Sequence, residues 1–128
     1  MYVGENDARK LVELGFKRTF YVDEVAPFDI YKHNEEEWCV GGRIVPEGNL
    51  LSPNEVYLNG AWLPNIYDLM FWLESNDYMY VLSHNYEGLL YKLEVFDEDR
   101  KVLVKAKGGT PANVFCNAIL KILAMKRK

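Results

Sequence analysis

Residues 62–74, WLPNIYDLMFWLE, decide how the rest of the chain is read. Pro64 and Asn65 followed by Asp68 form a helix start. Asn65 is placed to cap orphan N–H groups, and Asp68, three residues on, brings a carboxylate to the positive end of the helix dipole. Ile66, Leu69, Met70 and Leu73 then recur at i, i+3, i+4 and i+7, the spacing of one helix face. Tyr67 and Phe71 line a second face and Trp72 a third, which leaves only Asp68 and Glu74 charged. A surface helix carries one apolar stripe, so a helix apolar nearly all round is covered on more than one side. Either it lies between two layers of its own domain, or a second subunit covers it.

Downstream, residues 78–83, 89–96 and 102–107 read as three strands joined by the short turns HNYEG and DEDR. In the middle one Leu89, Tyr91, Leu93 and Val95 share a face, while Lys92 and Glu94 mark the other. That alternation fits an antiparallel meander with one side on the core. The last element starts at Thr110–Pro111, a threonine cap followed by proline at the first helical position. Phe115, Ala118, Ile119 and Ile122 form its stripe, widened by Val114, Leu123 and Met125. Asn113, Asn117 and Lys121 are the narrow polar side, and Lys126, Arg127 and Lys128 suit the negative end of the dipole.

Upstream, residues 56–58, Asn59–Gly60 and residues 61–63 carry a hairpin signal, because Asn-Gly supplies the positive φ values of a type I′ turn. Residues 41–55, GGRIVPEGNLLSPNE, are the least regular stretch. They read either as a binding loop or lid or as a pair of short edge strands with turns. Strands are expected at residues 17–22, 28–31 and 38–40, with Glu35, Glu36 and Glu37 as a solvated turn. A first helix is expected over residues 6–14, closed by Gly15 in the αL conformation and by Phe16 as the accompanying apolar contact. The order implies a single α+β domain over residues 1–128, antiparallel sheet with a central helix and a C-terminal amphipathic helix.

With 128 residues, 49% of them hydrophobic, the chain has apolar mass for one proper core. No apolar run approaches the roughly 18 residues of a membrane span. The start, MYVGEND, lacks the basic and apolar stretches of a secretory signal. Cys39 and Cys116 form no metal-ligand spacing. A cytoplasmic protein with reduced thiols, no membrane partner and no cofactor is therefore expected. The net charge is −4, and without the three terminal cations it is 12 − 19 = −7. A binder of long nucleic acid would show a basic face, so that partner is not expected. A protein partner or a small ligand stays open, and nine tyrosines and three tryptophans suit both cores and contact surfaces.

Catalysis finds little support. His33 and His84 are the only histidines, and no serine sits in a nucleophile elbow. Ser83 and His84 are adjacent strand residues that point to opposite faces. His33 with Glu35, Glu36 and Glu37 matches no metal-ligand spacing and reads as a solvated turn, while Cys116 reads as core. Two glycine pairs beside cations are better candidates. Gly41, Gly42 and Arg43 lie in the irregular stretch, where Arg43 is suited either to a bidentate anion contact or to a surface ion pair. Lys107, Gly108, Gly109 and Thr110 lead into a helix N-terminus, which binds anions through free N–H groups. Pro111 removes one such donor, and a Gly-Gly link from strand to helix is also ordinary turn chemistry. Arg100 reads as an exposed turn residue.

The segments WLPNIYDLMFWLES and KGGTPANVFCNAILKIL resemble short proteins of phages and prophages in Gram-positive bacteria, of the phage α–β–α sandwich type. The likeness spans residues 62–123 and is carried by caps, core and turns; the first half departs from it. The resemblance implies an anti-defence protein of the host cell cytoplasm. In size and composition the chain is similar to the anti-Thoeris sponges, which sequester cyclic ADP-ribose signals or cyclic oligonucleotides without cleaving them. By that likeness the expected function is non-enzymatic sequestration of a small phosphorylated nucleotide. Arg43 and Lys107 would meet phosphate, and Trp38 or a tyrosine would stack on a base. The alternative is an inhibitor acting by protein contact, its acidic surface imitating nucleic acid. An enzyme would need His33 or His84 in a pocket beside a carboxylate. The apolar circumference of the central helix further implies a homo-oligomer, most simply a two-fold dimer, with Tyr67, Phe71 or Trp72 at its interface.

Overall fold

The computed structural model of the chain describes residues 2–17, 30–33, 36–39, 61–85, 88 and 90–126, and of residues 33, 36–39 and 85 the backbone alone. Among the described residues there are three helices and two antiparallel sheets of three strands each. Helix α1 is Glu5–Glu13. Strands β1 (Ile30–His33), β2 (Glu36–Cys39) and β3 (Ala61–Leu63) follow, then helix α2 (Ile66–Ser75). Strands β4 (Met79–Asn85), β5 (Leu90–Phe96) and β6 (Val102–Gly108) lead to helix α3 (Pro111–Lys126). The first sheet has the order β2-β1-β3 and the second β4-β5-β6. This is the α+β arrangement expected from the sequence, and no helix of the described residues is long and apolar enough to cross a membrane.

The helix ends are held by local chemistry. At the start of α2 the Asp68 N–H donates to Asn65 Oδ1 (2.9 Å) and the Asn65 N–H donates to Asp68 Oδ2 (3.0 Å), a reciprocal capping box. Helix α1 ends in a Schellman motif: Gly15 stands at φ +97°, its N–H donates to the Val12 carbonyl and that of Phe16 to the Leu11 carbonyl. Helix α2 ends in the same bonding pattern, Asp77 to Glu74 and Tyr78 to Leu73, with Asp77 at φ +63° where glycine is the usual residue. No glycine marks this stop, so the sequence offered no signal for it.

Helix α3 lies on the inner face of the second sheet. Leu93, Val95, Val104 and Ala106 from the sheet meet Val114, Phe115, Ala118, Ile119 and Ile122 from the helix, all buried. Ala8 and Leu11 of α1 and Leu69 and Leu73 of α2 complete the cover. Phe16 joins the halves: its ring lies 6.0 Å from Trp62 of β3 and 5.9 Å from Trp72 of α2. Val3 N–H also donates to the Pro64 carbonyl at 2.8 Å, fastening the N-terminal segment to the start of α2.

Several expectations change. Trp72, expected near a subunit interface, is 7% exposed and enclosed within its own chain by Phe16 and Tyr78, because it falls beside Leu69 and Leu73 on the covered side of α2. The apolar circumference of α2 is thus only partly covered: Tyr67 is 63% and Phe71 38% exposed. Met125, expected to widen the stripe of α3, is exposed. Glu36 and Glu37 belong to strand β2 and not to a turn. Backbone pairing of Lys32 with Glu37 and His33 with Glu36 carries the ladder through them, and β2 stands at the edge of the sheet among the described residues, where charge is accommodated. Of the strand expected at residues 28–31, residues 30 and 31 belong to β1, which runs on to His33, while residues 28 and 29 lie outside the described residues; Lys17 lies in no strand. Residues 18–22, 40–55 and 56–60, with their expected strands, loop and Asn-Gly turn, lie outside the described residues. Strand β3 pairs with β1.

The two helix stops should respond oppositely to substitution. Gly15→Ala forces a side chain into the αL region with no new contact nearby, and is expected to cost about 1 kcal/mol. Asp77→Gly relieves the same constraint and removes an anion from a helix C-terminus, and is expected to raise stability by up to about 1 kcal/mol. Urea unfolding midpoints of the two variants measure this; shifts of the same sign would contradict the assignment.

Candidate functional site

The strand register assembles the positive charge. On β5, Leu93 and Val95 point to the core and Lys92 and Glu94 to the outer face. Lys92 is paired with Lys107 of β6, and Glu94 with Lys105. The outer face therefore carries a row Ser83–Lys92–Lys107 beside a row Val81–Glu94–Lys105. Three lysines stand against one glutamate, a local charge of 3 − 1 = +2 in a chain whose net charge is −4. Cross-strand partners have Cβ atoms about 5 Å apart, and like charges so placed repel. Glu94 relieves part of that, with a carboxylate oxygen 3.6 Å from Lys92 Nζ. Lys107 is exposed.

The turn into α3 is organised differently from the expected anion cradle. Thr110 Oγ1 accepts from the Asn113 N–H at 3.1 Å, and the Val114 N–H donates to the Thr110 carbonyl. With Pro111 offering no N–H, the Ala112 amide is the one donor of the first turn outside these bonds and the prolyl ring. The threonine hydroxyl is thus spent as a cap. Gly108 has a packing role: a Cβ there would stand 3.2 Å from Val114 Cγ2 and 3.3 Å from Asn113 Cβ, so a larger residue would require the start of the helix to give by a few tenths of an ångström. Gly109 has open space around it. Of the four residues Lys107, Gly108, Gly109 and Thr110, only Lys107 projects its chemistry outward, and its neighbour is Lys92.

The alternation in β5 placed Lys92 on the outer face, but nothing local said which residue of β6 would lie opposite it; that depends on the register. Trp38 occupies a position on β2 opposite Tyr31, which in turn is opposite Trp62. Gly41, Gly42 and Arg43 lie outside the described residues. Tyr67 and Phe71 are on the exposed side of α2, their rings 6.5 Å apart. Arg100 is exposed and takes φ +63° in a turn where Asp97 Oδ1 accepts from the N–H groups of Asp99 and Lys101.

Among the described residues, three groups capable of acid–base or nucleophilic chemistry are held in contacts of the fold. His84 lies against the Tyr91 ring at 4.6 Å. The Tyr80 hydroxyl donates to Glu74 Oε2 at 2.6 Å and stacks edge-on against Phe115. Burial, then that hydrogen bond and the Glu74 charge, push Tyr80 up to about 12. Cys116 is fully buried, and burial, then the negative charge of Asp7, push its thiol up to about 12. A thiol so held is protonated and inert. Among the described residues no group of three or more His, Cys, Asp or Glu could hold a metal ion. Comparison with protein-family models, with characterised proteins and with solved structures finds no match for the chain.

The raised thiol gives a signed expectation. The folded state keeps Cys116 protonated to higher pH than the unfolded chain, so its contribution is full below about pH 9 and is lost as pH rises toward 12. Urea midpoints should fall between pH 8 and pH 11, and fall less in Cys116→Ala. In Cys39→Ser, where Cys116 is the remaining thiol, alkylation at neutral pH should wait for unfolding. Rapid labelling of the folded chain would refute the buried, protonated thiol.

Proposed function

We propose that the chain is a non-catalytic binding protein that sequesters a small phosphorylated nucleotide, its phosphate held at the outer face of the second sheet by Lys92 and Lys107. The observation that carries this reading is the like-charged cross-strand pair, which destabilises an empty sheet face and is neutralised by an anion placed between the two ammonium groups. Lys105 adds a third cation, and the apolar Val81 and Phe96 stand in neighbouring positions for a base or ribose. Trp38 as a stacking ring and Arg43 as a phosphate clamp are further proposed members of the site. The resemblance of residues 62–123 to phage proteins supports the setting, an anti-defence role in the cytoplasm of the host. Isothermal titration with cyclic dinucleotides, cyclic trinucleotides and cyclic ADP-ribose isomers is the test. One of them should bind and be recovered intact, and Lys92→Gln with Lys107→Gln should weaken it by about ten-fold or more and stabilise the ligand-free protein slightly. No binding by any of the panel at micromolar concentrations overturns the proposal, and recovery of a converted ligand overturns the non-catalytic part.

The second reading is an inhibitor that acts by protein contact. Asp77, Asp97, Glu98 and Asp99 lie at the end of the same sheet away from Lys107, where the pairing of Met79 with Phe96 brings two turns together. An acidic end of this kind can imitate nucleic acid. A protein partner retained in low salt and released in high salt, with no co-purified nucleotide, favours this reading over the first.

A further inference from the structure

The two edges of the second sheet are treated unequally. The β6 edge is guarded: it carries Lys105 and Lys107, a register irregularity interrupts its ladder at Val95/Phe96, and Lys121 Nζ donates to the Lys105 carbonyl at 2.6 Å. These are the devices by which sheets discourage further pairing. Strand β4 has none of them. Its seven residues, MYVLSHN, contain no Lys, Arg, Asp, Glu or Pro, and among the described residues no strand pairs with its outer edge. Val81 is 55% exposed on the outer face, and Leu82 is 39% exposed although it points to the inner face, where Leu93 beside it is fully buried. An uncharged edge of this length, open among the described residues, is a template for another strand.

We propose that the occupant is a second copy of this chain: two β4 strands pair antiparallel about a two-fold axis at Leu82, joining two three-stranded sheets into one of six. The charge pattern favours self-pairing. A chain edge laid antiparallel on itself opposes its own residues, so full overlap of β6 on β6 would set Lys105 against its own copy, whereas β4 on β4 opposes no charges at all. Full overlap of the seven residues places Val81 opposite Ser83, Tyr80 opposite His84, and Leu82 opposite its own copy. A two-fold axis perpendicular to the sheet keeps the inner faces on one side. Helix α2 then supplies the flank. Glu74 reaches β4 through the Tyr80 hydroxyl, and Phe71 and Tyr67 follow one and two turns back on the same face of α2. Their exposed rings would be covered where the two helices approach across the axis. The two lysine rows become parts of one continuous outer face. The dimer does not depend on any ligand, so its test is separate from that of nucleotide binding.

Light scattering on the full chain at micromolar concentration should give twice the 14.9 kDa chain mass. Val81→Lys combined with Ser83→Lys opposes like charges across the axis and should weaken self-association by about ten-fold or more, while circular dichroism and the urea midpoint confirm a folded chain. Leu82→Cys should form a covalent dimer under mild oxidant, which neither the parent nor Met79→Cys gives, because only residue 82 faces its own copy. A monomer at every concentration overturns the proposal. Slow exchange of the β4 amides that point away from β5 in that monomer would assign the edge to another segment of the same chain. A dimer indifferent to the charged substitutions, or one cross-linked through Met79→Cys and not Leu82→Cys, overturns it equally.

Discussion

Helix α3 has to be covered on several sides, and the remaining elements are arranged to do it. Eight of its residues are buried, from Ala112 to Leu123, and they leave no broad polar face to give to solvent. The second sheet takes one side, α2 another and α1 a third. Small residues at Ala112, Cys116 and Ala118 let neighbours come close, and Gly108 does the same for the strand that precedes the helix. Truncating a side chain such as Phe115 in this setting costs about 3–5 kcal/mol, a large share of the roughly 5–15 kcal/mol that holds a domain together. The cover of α3 is therefore the constraint that other features serve.

The aromatic junction follows from it. Once α1 and α2 are both placed against α3, the residue after α1 meets the covered face of α2. Phe16 fills that meeting point, between Trp62 and Trp72. Trp72 continues the series to Tyr78, and Lys126 at the end of α3 places its ammonium 5.7 Å from both of those ring centres. This cation also sits where the negative end of the helix dipole favours it. The same side chain thus answers the helix terminus and caps the aromatic stack, so the last turn of α3 is fastened to the turn after α2. The start of α2 is fastened in parallel by the Asn65–Asp68 box and by the backbone bond from Val3.

What the core consumes is not available for chemistry. Thr110, Gly108 and Cys116 would each look reactive or ligand-binding in a list of residue types, yet they act as a cap, a close-packing position and a buried apolar group. Charge is instead left on the outer face of the second sheet, positive beside Lys92 and Lys107 and acidic at the turns of the opposite end. Among the described residues, charged side chains therefore stand on the outer surface of the second sheet and at its turns.

Local signals in the sequence determined the helices and the meander. Asn65 with Asp68, Thr110 with Pro111, and Gly15 with Phe16 are instructions read within four residues, and the alternation of β5 follows from the two-residue repeat of a strand. What no local signal carries is the partner across a ladder or the side of a helix that a distant element covers. The pairing of Lys92 with Lys107 depends on register, the burial of Trp72 on where Phe16 arrives, and the strand character of Glu36 and Glu37 on the backbone of β1 beside them. Asp77 ends α2 without a glycine because the Schellman hydrogen bonds and the packing of Tyr78 against Trp72 hold it in the αL region. In each case the deciding energy comes from contacts between residues far apart in the chain, and only the folded arrangement brings those residues within reach of one another.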